Sequence, residues 1–219
     1  MFNFFNKSDA DVKLDVINEL KWDPRVNSSG IKVTAHDGII TLRGTVPHFI
    51  EKLSAEKAAQ RVGGVKAVAD ELEVKGIFEK SDEDIARAAL NALKWNYSVP
   101  ASIKVSVEKG WVNLSGETDW DFERKAAMDS VSKLLGVVGV TNSISIRSVV
   151  QPEDIKNRIE DALKRSAESE GKKINVVVNG DKVVLSGKVH SYSESIDARD
   201  AAWMAPGVTS VENNLTISQ

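Results

Sequence analysis

The stretch Ile31-Lys32-Val33-Thr34-Ala35-His36-Asp37-Gly38-Ile39-Ile40-Thr41-Leu42-Arg43-Gly44 decides the fold. Ile31, Val33 and Ala35 alternate with polar residues, an Asp37-Gly38 turn follows, and Ile40 and Leu42 resume the alternation. Period-two patterning on both sides of a tight turn predicts a β-hairpin with one apolar face. The same stretch returns twice. Ile103, Val105 and Val107 lead through Glu108-Lys109-Gly110 to Val112, Leu114 and Gly116. Ile174, Val176 and Val178 lead through Asn179-Gly180-Asp181 to Val183, Leu185 and Gly187. The closing glycines Gly44, Gly116 and Gly187 stand 72 and then 71 residues apart.

Working outward, each hairpin is followed by a segment rich in alanine, at roughly 49–62, 120–135 and 192–205, where small side chains allow close helix–sheet approach. A Gly-Val pair then opens a last strand: Gly64-Val65 to Leu72 and Val74, Gly136-Val137 to Ile144 and Ile146, Gly207-Val208 to Leu215 and Ile217. This second pattern keeps the spacing of the first, which makes coincidence a poor explanation. Asp70, Asn142 and Asn213 interrupt the alternation of that strand, and a bulge or bent edge is the expected cause. Before each hairpin lies an amphipathic helix, with apolar residues at Val12, Val16 and Leu20, at Ile85, Ala89 and Leu93, and at Ile155, Ile159 and Leu163. Ser8 with Asp11 and Ser81 with Asp84 read as helix caps, while Pro152 with Glu153 and Asp154 opens the third helix.

The expected class is therefore α+β: three tandem α-β-β-α-β modules, residues 9–75, 81–147 and 152–218, each a small three-stranded mixed sheet covered by two helices. The period is longer than the roughly 20–50 residues of solenoid repeats, so the units are small domains in series. Modules of about 65 residues have marginal cores, and docking between them would add stability. The linkers near 75–80 and 147–151 contain no Gly/Ser tract and favour a restricted arrangement.

Cysteine is absent, which excludes disulfides, thiol nucleophiles and thiolate metal sites. A net charge of -3 argues against a nucleic-acid partner, which selects for a basic face. The first residues lack the basic and apolar regions of a secretory signal, and no apolar run has the length of a membrane span. A cytoplasmic location is the expectation, or a periplasmic one for a processed form.

Catalytic signals are weak. His36, His48 and His190 show no metal-ligand spacing, and no serine, aspartate or glutamate falls into a nucleophile–base pattern. No catalytic, metal or cofactor site is expected. Gly44, Gly116 and Gly187 are expected to meet a backbone requirement at the sheet edge, with partner contact as the alternative. Trp111 stands on the outward phase of its strand, where Ile39 and Lys182 stand in the other modules. Packing against a neighbouring module is the favoured reading for it, ahead of a lipid or protein contact. Trp120 and Phe122, close by in sequence, join it as candidate contact residues. Trp22 and Trp95 end equivalent helices and are expected at the edge of the core. Lys164 with Arg165, and Lys172 with Lys173, form the best local basic patch, with Lys172 and Lys173 the candidate lipid contacts.

The hairpin endings Thr41-Leu42-Arg43-Gly44, Asn113-Leu114-Ser115-Gly116 and Val184-Leu185-Ser186-Gly187, each followed by a helix and the Gly-Val strand, resemble the BON domain of bacterial OsmY-like and nodulation proteins. Gly44, Gly116 and Gly187, with Gly64, Gly136 and Gly207, are the positions that carry the resemblance. It covers nearly the whole chain, and three copies without a visible signal look most like a cytoplasmic three-module member. The resemblance implies a non-enzymatic module tied to osmotic stress or the envelope, with phospholipid or an envelope protein as partner. The competing expectation is a protein-interaction or chaperone-like platform that binds no lipid.

Overall fold

A computed structural model describes residues 7–76, 80–147, 155–165, 174–205 and 207–217. Module 1 runs α1 (Asp9–Trp22), β1 (Ile31–His36), β2 (Ile39–Val46), α2 (Phe49–Gln60) and β3 (Ala67–Val74). Module 2 repeats this as α3 (Asp82–Trp95), β4 (Lys104–Glu108), β5 (Trp111–Thr118), α4 (Asp121–Ser132) and β6 (Gly139–Ile146). Module 3 follows with α5 (Ile155–Arg165), β7 (Ile174–Asn179), β8 (Lys182–Val189), α6 (Tyr192–Trp203) and β9 (Ser210–Ile217). Each sheet has the hairpin return strand in the middle, antiparallel to the strand before it and parallel to the one after α2, α4 or α6.

The helix stripes read from the sequence are the cores. Val12, Val16 and Leu20, Ile85, Ala89 and Leu93, and Ile155, Ile159 and Leu163 are all buried against Ile40 and Leu42, Val112 and Leu114, or Val183 and Leu185. Burying one face of the sheet under two helices removes apolar area from water, while the opposite face stays exposed and carries Ile39, Trp111 and Val177 among its polar residues. Ser8 and Ser81 cap α1 and α3, each hydroxyl accepting from a backbone N–H three residues on. Pro152, Glu153 and Asp154 lie outside the described residues.

Two aspartates at the first turns of these helices have a further use. Asp9 accepts the backbone N–H groups of Asp37 and Gly38 at 2.8 and 3.0 Å, and Asp82 those of Lys109 and Gly110, both at 2.8 Å. Both turns place a non-glycine residue at φ 51° and the following glycine at 78° or 77°, so the carboxylate holds a costly turn in place. These bonds lower the carboxyl pKa of Asp9, the Gly38 amide being the largest cause.

The interruption at Asp70, Asn142 and Asn213 is not a bulge. The parallel register runs one to one from Ile39 with Ala67 through Val46 with Val74, and likewise in the other modules. Each side chain instead accepts the backbone N–H two residues on, from Leu72, Ile144 or Leu215. The strand is an edge, so that N–H has no ladder partner, and the side chain supplies one while blunting the edge. Asn142 and Asn213 also donate to the backbone of Arg124 and Ser195, and Asp70 lies 3.6 Å from Lys52. Residues 52, 124 and 195 are equivalent, so the polar interruption is a tether between edge strand and second helix.

Candidate functional site

The second helices also join the modules. Phe49, the first residue of α2, is only 8% exposed and belongs to the core cluster of module 2, with Leu53 and Val74 packed against that cluster. Met128 of α4 packs on the same cluster. One repeat later the chemistry changes. Arg124 of α4 stacks over the ring of Trp203 of α6 at 4.5 Å, a cation–π contact. Lys125 reaches Asp200 of α6 at 3.1 Å and Asp121 of its own helix at 3.1 Å. Asp121 is buried and also paired with Arg124, so the seam between modules 2 and 3 is a connected charge network. The front half of one second helix thus serves each seam, apolar in the first and charged in the second.

Exposed aromatics form the other feature. Trp22 and Trp95 are 82% and 86% exposed and Tyr97 fully so. This corrects the core-edge expectation. Each tryptophan lies two residues past the last buried leucine, Leu20 or Leu93, and two residues on a 3.6-residue turn swing a side chain about 200° from the apolar stripe. Trp120 and Phe122 are paired, their ring centroids 6.5 Å apart and tilted by 33°, with Phe122 57% exposed.

Trp111 makes its described contacts within its own module. Its ring packs over Gly139 of its own sheet, where a Cβ would come within 2.4 Å of it. Gly139 is its register partner on β6, and the indole Nε1 donates to Thr141 Oγ1 at 2.8 Å. A glycine opposite a large aromatic leaves room for the ring to cover bare backbone, which explains both the half-burial of Trp111 and the choice of residue 139.

Gly44, Gly116 and Gly187 have φ of 137°, 130° and 128°, open only to glycine. A Cβ on Gly44 would stand 1.9 Å from the Gly30 carbonyl oxygen. Gly64, Gly136 and Gly207 also have positive φ, and Gly64 and Gly136 abut Val12 and Ile85 of the first helices. Lys172 and Lys173 lie outside the described residues, as do the side chains of Lys164 and Arg165.

Three glutamates escaped sequence reasoning. Glu51 accepts the Asn27 N–H at 2.6 Å, Glu123 those of Asp119 and Trp120, and Glu194 that of His190 at 2.6 Å. They are equivalent positions in the first turn of each second helix, where a carboxylate meets the positive end of the helix dipole. Asp9, His36 and Asp37 place ligand atoms within 4.8 Å of one another. Both Asp9 oxygens are already engaged by the turn, and the group acts as a hairpin clamp. On module 1 a shallow apolar groove between α1 and β1, lined by Ile17, Ile31 and Val33, is bordered by Lys13, Lys21 and Lys32. No helix among the described residues is long and apolar enough to cross a membrane.

Against known families, the BON domain matches three times, at residues 8–76, 81–148 and 152–219. No curated protein matches. Among solved structures, CdsD, a structural protein of the type III secretion system of Chlamydia trachomatis, aligns over 95% of this chain and 92% of its own at 17% identity and a TM-score of 0.27. Its C-terminal domain aligns over 97% of this chain and 100% of its own, at 16% identity and 0.27. The PrgH periplasmic domain aligns over 94% and 100%, at 12% identity and 0.22. Scores of this size carry no argument about function or compartment.

Proposed function

This chain belongs to the BON domain family and carries three copies in series; from that premise we propose that it is a non-catalytic platform whose docked modules present exposed aromatics to a protein partner. BON domains are structural and lipid-binding modules, not enzymes. The observation that carries the platform reading is the pair of seams: Phe49 buried against module 2, and the Asp121–Lys125–Asp200 network with Arg124 on Trp203. Independent beads on a string have no use for a buried phenylalanine or a bridging ion pair between modules. Fixed modules hold Trp22, Trp95, Tyr97 and Phe122 at set separations, so several weak contacts add through effective concentration.

Small-angle X-ray scattering on wild type and Lys125→Glu tests this. The substitution sets a third carboxylate beside Asp121 and Asp200, and like charges in a partly buried network repel. The expected outcome is a single compact wild-type shape and a larger maximum dimension for the variant. A wild-type profile that fits three freely jointed modules would sink the platform.

A lipid reading has one observation of its own, the lysine-bordered apolar groove on module 1. An acyl chain would take the groove and a phosphate the lysines. Co-sedimentation with vesicles of phosphatidylethanolamine and phosphatidylglycerol at low salt decides it, because surface electrostatics is screened within about 10 Å at 0.1 M. Under this reading wild type pellets and Lys13→Glu/Lys32→Glu does not; the platform reading predicts that neither does.

A further inference from the structure

The two seams have one polarity. In each, residues from the front half of a second helix, Phe49 and Leu53 or Arg124 and Lys125, meet the next module. In the second seam the receiving residues, Asp200 and Trp203, lie in the back half of that module's second helix. In the first seam the receiving cluster is the core of module 2, built from α3, the sheet and the back half of α4, with Ala127, Val131 and Met128. Front and back are different surfaces, so the contact is heterologous, and such contacts do not close on themselves. Two fronts are thus engaged, and the Lys125–Asp200 and Arg124–Trp203 contacts show a back half receiving one of them. Among the described residues, Tyr192 and Ile196 on the front of α6 and Glu56, Lys57 and Gln60 on the back of α2 join no core cluster and no ion pair of another module.

The α6 front is built like the one that buries. Tyr192 and Ile196 stand where Phe49 and Leu53 stand in module 1, and where Asp121 and Lys125 stand in module 2. Module 3 has therefore kept the apolar version of the docking pair. The α2 back offers Glu56, Lys57 and Gln60 at the positions of Arg199, Asp200 and Trp203. Glu56 and Gln60 are half-buried and hydrogen-bonded to each other at 2.9 Å, leaving polar atoms within reach of a tyrosine hydroxyl. Lys57 is exposed.

We infer that the front of α6 docks on the back of α2 of a second copy of this chain, continuing the internal seams into a head-to-tail assembly. The seam geometry fixes the register: residue 196 of one copy faces residue 57 of the other, as Lys125 faces Asp200. The inference rests on the platform reading, since modules that do not dock within a chain give no pattern to continue.

Sedimentation velocity of the full chain, from about 10 µM to about 1 mM at low salt, spans the range of small transient interfaces. The average sedimentation coefficient should rise with concentration and show no fixed end point. Ile196→Lys sets a lysine against Lys57 and should weaken association about tenfold. Adding Lys57→Asp rebuilds the Lys125–Asp200 pairing and should restore it. Both helix positions already carry these residue types elsewhere in the chain, as Lys125 and Asp200, so folding is preserved, and unchanged circular dichroism checks that. A wild type that stays monomeric overturns the inference, as does an Ile196→Lys variant that associates normally or is not rescued. Compact scattering with no self-association sinks this inference alone; freely jointed modules sink the platform with it.

Discussion

Gly44→Ala is expected to destabilise module 1 by about 4 kcal/mol or more, enough to leave that module largely unfolded. Two costs add. The residue sits at φ 137°, which an L side chain rarely adopts. Its Cβ would also stand 1.9 Å from the Gly30 carbonyl oxygen, a backbone atom that can retreat only by breaking the pairing of Ile31 with Gly44. The equivalent Gly116 supplies a graded comparison: at φ 130° its Cβ would meet the Ser102 oxygen at 2.9 Å, so Gly116→Ala should cost about half as much. Gly63→Ala is the control, since a Cβ there meets nothing within 4 Å, and its effect should stay within about 1 kcal/mol. Urea titration followed by amide exchange measures all three, with lost protection confined to β1–β3 for Gly44→Ala. Equal effects of Gly44→Ala and Gly63→Ala would contradict the close approach.

The second large effect comes from Phe49→Ala. Removing a buried phenylalanine costs about 3–5 kcal/mol in well-packed sites. Phe49 belongs by sequence to module 1 but by packing to the cluster of Ile85, Leu93 and Leu114. The loss should therefore appear in module 2, about 3 kcal/mol at the low end because Phe49 keeps 8% of its surface exposed. Amide exchange resolves the point by region. Faster exchange in β4–β6, with β1–β3 close to wild type, is expected; the reverse would place Phe49 in its own module's core and dissolve the first seam.

The fold was legible because the cores are periodic. Buried positions such as Leu42, Leu114 and Leu185 recur at nearly constant spacing, and apolar alternation is the signal that sequence carries best. Glu51, Glu123 and Glu194 recur at the same spacing, but their role is visible only once the N–H groups they accept are placed. Trp111 was harder. Its partner Gly139 lies across a parallel pairing, and register between strands joined by a helix is not written in either strand alone. The outward turn of Trp22 and Trp95 was available from helical geometry, two residues past Leu20 and Leu93. The seams were not legible, because they use the positions at which the repeats differ: Phe49, Asp121 and Tyr192, or Leu53, Lys125 and Ile196. A shared pattern reports the shared core, and divergent positions report what each copy meets.

The central claim is that the seams hold three BON modules as one body. Residual dipolar couplings of backbone amides in the full chain, fitted module by module, test it most directly. Docked modules must share one alignment tensor in magnitude and orientation, and Lys125→Glu should make the tensor of module 3 depart from the other two. Three different tensors in the wild-type chain would contradict the account.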